Sequence, residues 1–166
     1  MINGKAAGTV LILTVAFAIT FGNAMAEEGK EKGKKEDAPE AKHKSAHGGC
    51  LNALGSCENG HAEVKLEGET LKLWFVGGGT DTEKAVRVPD KQIGIDVTPS
   101  GSKTKTVFLK AKPNELAEEK EGDCSHFEGS APWLKGVWKF KAEGVATFKG
   151  KAQKIVIEYP NGYDPD

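Results

Sequence analysis

Three cysteines and four histidines supply the soft and imidazole donors of this chain, and they are bunched. One group runs His47-Gly48-Gly49-Cys50, then Cys57, then Asn59-Gly60-His61. A second, Cys124-Ser125-His126, lies far downstream. Zinc and copper ions prefer such nitrogen and sulfur ligands. The chemistry these residues point to is therefore a zinc or copper site drawn from His47, His61, His126, Cys50, Cys57 and Cys124. Gly48, Gly49 and Gly60 would let the backbone turn tightly enough to aim the side chains. In strand geometry Cys124 and His126 share one face, as do His61 and Glu63.

A second reading uses the same cysteines as a staple. In an exported domain two of them would form a disulfide, leaving one over from the odd count. The spacing contains no paired C-x-x-C of the zinc-finger kind. A blue-copper site is disfavoured, because its usual axial methionine is missing: Met1 and Met25 both lie in the leader described below.

Catalytic constellations are absent. Gly77-Gly78-Gly79-Thr80-Asp81-Thr82 is glycine-rich but lacks the Gly-Lys-Ser/Thr of a phosphate loop, and reads as a flexible hairpin loop. A Cys124/His126 nucleophile would need a base and an orienting third group that two same-strand neighbours do not supply. Asp164 and Asp166 lack the ligand spacing of a calcium loop. A non-enzymatic protein is expected.

The elements that must position these residues are read from the N-terminus onward. Lys5 precedes an apolar run over residues 6–21, followed by Ala24-Met25-Ala26. Basic, apolar and A-x-A regions in this order form a secretory leader. The run is shorter than the roughly 20 residues of a spanning helix. Cleavage after Ala26 is expected, with a periplasmic or secreted location and no membrane anchor afterwards. Residues 27–46 hold Glu, Lys, Gly and Ala with Pro39 and no large apolar side chain, the composition of a disordered charged linker. The alternative is a partner-binding arm that uses His43 and its lysines. Residues 47–166 then form one domain. The formal net charge of −1 argues against nucleic acid as a partner.

That domain reads as all-β, a small antiparallel sandwich or barrel. Ala62, Val64 and Leu66 alternate with polar residues, and Leu71, Leu73 and Phe75 repeat the pattern after a Gly68-Glu69 turn. Further strands are expected at 85–88, 93–97, 103–111, 137–142, 145–149 and 154–159, with Gly144 and Gly150 as breaks. Two helical turns are expected over 114–121 and one over 131–134. Trp74 and Trp138 are expected to anchor the core.

The stretch His47-Gly48-Gly49 followed by Gly60-His61-Ala62-Glu63-Val64 resembles a pattern of small exported bacterial proteins. These are mostly uncharacterised, and some are associated with heavy-metal efflux. The resemblance covers about 20 residues. It implies His47 and His61 as paired ligands with Glu63 in support; Cys50 and Cys57 between them depart from the plain pattern. The leading expectation is a periplasmic or secreted zinc- or copper-binding protein whose partner is a metal ion or an envelope protein. The rival is a disulfide-stapled envelope module that binds protein or sugar without metal.

Overall fold

Side-chain alternation with a period of two places Ala62 and Val64 on one face of their strand. It does the same for Leu71, Leu73 and Phe75 on the next, and all five are buried. A computed structural model describes residues 43–165. The leader, its cleavage site and the linker up to residue 42 lie outside the described residues. Among the described residues no helix is long and apolar enough to cross a membrane.

Eight strands form the domain: β1 (Cys50–Leu54), β2 (Ser56–Glu67), β3 (Thr70–Val76), β4 (Gln92–Pro99), β5 (Lys105–Ala111), β6 (His126–Ser130), β7 (Phe140–Phe148) and β8 (Lys151–Tyr159). They make one sheet in the order β1-β2-β3-β6-β5-β4-β7-β8, and every neighbouring pair is antiparallel. The fold is thus all-β and barrel-like. Ile93, Ile95 and Val97 of β4 join Val107, Leu109, Phe127, Phe140, Phe148, Ile155 and Ile157 in one buried cluster with the β2 and β3 residues. Phe75 and Phe127 meet edge to face with centroids 5.8 Å apart.

The barrel nearly closes between β1 and β8, and Asn52 supplies the clasp. Its amide is fully buried. Oδ1 accepts the Glu158 amide at 3.0 Å, while Nδ2 donates to the carbonyls of Ala62 at 3.1 Å and Cys50 at 3.2 Å. The Ala53 amide donates to the Tyr163 carbonyl at 2.7 Å just beyond β8. An Asn52→Ala change leaves the Glu158 amide without its acceptor, so urea unfolding should show a loss of about 2 kcal/mol.

Several local expectations are corrected. Residues 85–88 are not a strand: Ala85 and Val88 make only isolated bridges to Val76 and Cys124. The edge of β3 that such a strand would need is already taken by β6 as far as Trp74. Residues 114–121 form a single 3-10 turn, Glu115–Ala117, ended by Glu118 in the left-handed conformation. The Glu119 carboxylate then turns inward to accept the Ser125 hydroxyl and amide and the Asn114 amide.

Gly144 is no break but lies within β7. A Cβ there would sit 2.5 Å from Ile95 Cδ1, so glycine permits a close approach of two strands. Trp138 is 74% exposed and anchors no core.

Candidate metal centre

The site begins with a defect in the first hairpin. Ala53 of β1 faces His61 of β2, yet the next residue, Leu54, faces Ser56. The register shift throws residues 57–60 out of the ladder. Asn59 Nδ2 holds the bulge by donating to the Leu54 carbonyl at 2.7 Å. The Gly77-Gly78-Gly79 segment lies directly on it, with the Gly79 amide donating to the Cys57 carbonyl at 2.9 Å. A Cβ on Gly78 would stand 2.1 Å from the Glu58 carbonyl oxygen and 2.7 Å from that of Cys57. Glycine is required by this backbone-on-backbone contact. The triplet is a fitted wall, not the loose hairpin its composition suggests.

Two histidines use that wall. His61 Nδ1 lies 3.1 Å from the Gly77 carbonyl oxygen, and His43 Nδ1 lies 2.7 Å from that of Gly79. A carbonyl only accepts, so each Nδ1 carries a proton, and the tautomer compatible with these bonds has its lone pair on Nε2. Histidine ligands to metals are oriented in this way, by an N–H donated to a backbone carbonyl. Ligand atoms of His43, Cys57 and His61 lie within 4.8 Å of one another. The two imidazole rings are 5.0 Å apart between centroids and tilted by 45°. A single ion could bridge two nitrogens and one sulfur here, since Zn–N and Zn–S bonds run about 2.0–2.3 Å.

His43 is carried in by a strap, residues 43–49, that crosses the outer face of β2 and β3. Lys44 is tied by its carbonyl to Thr82 Oγ1 at 2.8 Å. The centre of the clasp is Glu63, a fully buried carboxylate on the outer face of β2. It accepts the amides of Ala46 at 3.1 Å, His47 at 2.8 Å and Gly49 at 2.8 Å, and also His47 Nδ1 at 2.9 Å. Four donors around one anion compensate its removal from water.

The remaining residues that the sequence suggests as ligands lie outside this convergent group. His47 stacks on Trp74 at 4.4 Å with the rings 2° from parallel, and Trp74 stacks on His126 at 4.5 Å. Trp74 and His126 are cross-strand partners, which accounts for their contact. His47 does not belong to the group formed by His43, Cys57 and His61. The Cys124 thiol is buried and donates to the His126 carbonyl at 3.1 Å. Cys50 lies at the start of β1 opposite Val64 and lines the same cavity as Cys57 without joining the convergent group. Burial pushes the Cys50 and Cys124 thiols up, so neither is a ready thiolate at neutral pH.

No disulfide joins any two of these cysteines, which corrects the expected staple. The physical reason is their dispersal over the start of β1, the bulge and the Val88 bridge.

Sequence reading found Cys57 and His61 but placed His43 in the linker. The available signal was His43-Lys44-Ser45-Ala46-His47, where a second histidine stands four residues before His47.

His126 provides a pH prediction. Burial pushes its imidazole below the usual histidine value; Glu128 opposes this, His47 and Lys72 reinforce it, and Glu119 opposes it weakly. Nε2 is 3.2 Å from Glu128 Oε1, yet that nitrogen is buried without a well-aligned hydrogen bond. The unfolded chain therefore binds the proton more readily than the fold does. The stability contribution is complete above about pH 6.5 and is lost as pH falls toward the depressed folded value. Urea midpoints measured from pH 7.5 to 5 should fall, and a His126→Gln variant should flatten this decline.

His43, Cys57 and His61 also line one cavity of about 910 Å³, together with Gly48 to Leu51, Glu58 and residues 159–164. No protein-family model, curated protein or solved structure matches the chain.

Proposed function

We propose that this protein is an exported, non-enzymatic binding protein for zinc or copper, held by His43, Cys57 and His61. One observation carries the reading: ligand atoms of the three residues lie within 4.8 Å of one another, beside Nδ1 bonds that tie both histidines to the Gly77 and Gly79 carbonyls. Neutral imidazole and thiolate are the donor set that zinc and copper select over magnesium or calcium. Binding would deprotonate Cys57 and release a proton, so affinity rises with pH. The A-x-A leader supports export to the periplasm or beyond, where such an ion would be met.

The test is native mass spectrometry of the exported chain after equilibration with Zn(II) alone and removal of excess. One ion per chain is expected, and a His43→Ala/His61→Ala variant should carry none. A chain that stays metal-free, or a variant that binds equally, refutes the site.

The rival, an envelope interaction module without metal, has one observation in its favour. Phe108 and Val145 are each 59% exposed on neighbouring parts of the sheet, with Phe108 leaning over Gly94. Capture of a partner unaffected by the double histidine variant would support it.

A further inference from the structure

One end of the barrel carries an exposed tryptophan among lysines, and we infer that this tip docks reversibly on the surface of an anionic lipid bilayer. The group of His43, Cys57 and His61 lies at the other end, so docking leaves it facing away from the lipid.

Strand directions set the two ends apart. β2 leaves the bulge at residues 57–60 and runs to Glu67, and β3 returns from Thr70 to Val76 beside the glycine wall. The far end therefore holds the β2–β3 turn. Thr70 faces Ser130 and Pro99 faces Phe140, which brings the β4–β5 loop and the β6–β7 connection to the same end. The Ser100 amide donates to the Lys139 carbonyl at 3.2 Å and ties these two loops together. In the β6–β7 connection the 3-10 turn Pro132–Leu134 sends Leu134 into the core, and Trp133 and Val137 pack half-buried against it. Trp138 does not follow them and is 74% exposed. Gly101 and Gly136 adopt the left-handed conformation at the loop tips, and a Cβ on either would meet nothing within 4 Å. Both tips thus project into open solvent, where a flat surface can reach them.

A single exposed ring is ordinary; its setting is not. Residues 97–105 and 131–142 contain five lysines and no carboxylate. Lys141 is paired with Glu158 at 2.6 Å, and the Lys105 ammonium sits 5.4 Å over the Trp133 ring. Lys103, Lys135 and Lys139 are exposed beside Trp138 and its loop partner. The other bordering carboxylates are Glu69, whose carbonyl takes the Ala131 amide, and Asp96, which accepts the Thr106 hydroxyl. On a chain of formal net charge −1, this end is a local positive field. An anionic bilayer uses both features at once. Its headgroups attract the ammonium groups, and its boundary with the acyl chains receives an indole, apolar with one N–H. A soluble polyanion would engage the lysines but has no apolar phase for the ring. One ring and a few lysines make such binding peripheral and reversible.

The experiment is sedimentation of the exported chain with vesicles of mixed phosphatidylglycerol and phosphatidylcholine, and with vesicles of phosphatidylcholine alone. Binding is expected on the anionic vesicles only, and it should weaken as salt is raised. Each lysine near such a surface contributes about fivefold to partitioning, so Lys135→Gln/Lys139→Gln should lose about 25-fold. Trp138→Ala should lose at least about tenfold, because the ring no longer leaves water. All three side chains are exposed, so these variants should keep the parent's urea midpoint. Absence of binding to the anionic vesicles, equal binding to both kinds, or variants that bind as well as the parent overturn the inference. Retention on dextran sulfate without vesicle binding, unchanged in Trp138→Ala, also overturns it and gives the tip to a soluble polyanion. None of these results touches the metal site, whose own test reads bound zinc.

Discussion

His61→Ala should weaken Zn(II) binding by at least about 100-fold in competition with a chromophoric chelator. The same change should move the unfolding midpoint of the metal-free protein far less. Removing a group that only orients a ligand already costs 10- to 100-fold in metal affinity, and His61 is placed as a ligand itself. Its ring is buried, and its polar partner is a carbonyl that can rehydrate, with the His43 ring beside it. Cys57→Ser should give a loss of the same order, because a neutral hydroxyl replaces an anionic sulfur. His47→Ala is the control. His47 touches Glu63 and Trp74 and lies outside the convergent group, so its loss should cost well under the 100-fold of His61→Ala. Equal losses for His47 and His61 would restore the pairing that the sequence resemblance implies.

The second large effect concerns a residue that never meets the ion. Glu63→Ala removes the acceptor of three backbone amides and one imidazole at once. Hydrogen bonds to a charged group contribute about 1.5–3 kcal/mol each. Their sum is not additive, because the released strap finds water. A net destabilisation of about 3 kcal/mol is expected, accompanied by release of residues 43–49. Two signals should appear together. Trp74 emission should move to longer wavelength as His47 leaves its face, and Zn(II) affinity should fall about tenfold or more because His43 is no longer delivered. Glu63→Gln keeps one oxygen acceptor and should fall between wild type and alanine. An alanine variant that unfolds more easily but retains full metal affinity would show that the strap docks independently of Glu63.

The inner face of the barrel was legible because its signal is local. Ala62/Val64, Leu71/Leu73/Phe75 and Ile93/Ile95/Val97 each alternate within a few residues, and every one is buried. Period-two patterning needs no knowledge of the partner strand. The site was only half legible because it is made by tertiary fit. Nothing in the composition of 57–61 announces a bulge, since the register shift arises from pairing with β1. The glycine triplet is compositionally a loose loop and structurally a wall, a difference that lies in its contact with Cys57 and Glu58.

His43 was hidden for another reason: its neighbours are charged and small, which is the signature of a linker. Its place is fixed by partners far downstream, 36 residues away at Gly79 and, through Lys44, 38 residues away at Thr82. Gly144 misled in the opposite sense, looking like a strand end while serving a close strand crossing. Trp74 and Trp138 look equivalent in sequence, but only Trp74 has rings packed on it, and those rings come from the strap and from β6.

The most direct test of the central claim is X-ray absorption at the zinc edge of the exported chain carrying one Zn(II). The account predicts one sulfur scatterer near the ~2.3 Å of zinc–thiolate bonds, two imidazoles near ~2.0–2.1 Å, and one light atom completing a tetrahedron. A shell of oxygen atoms alone, or a spectrum unchanged in Cys57→Ser, would contradict it and return the domain to the class of metal-free interaction modules.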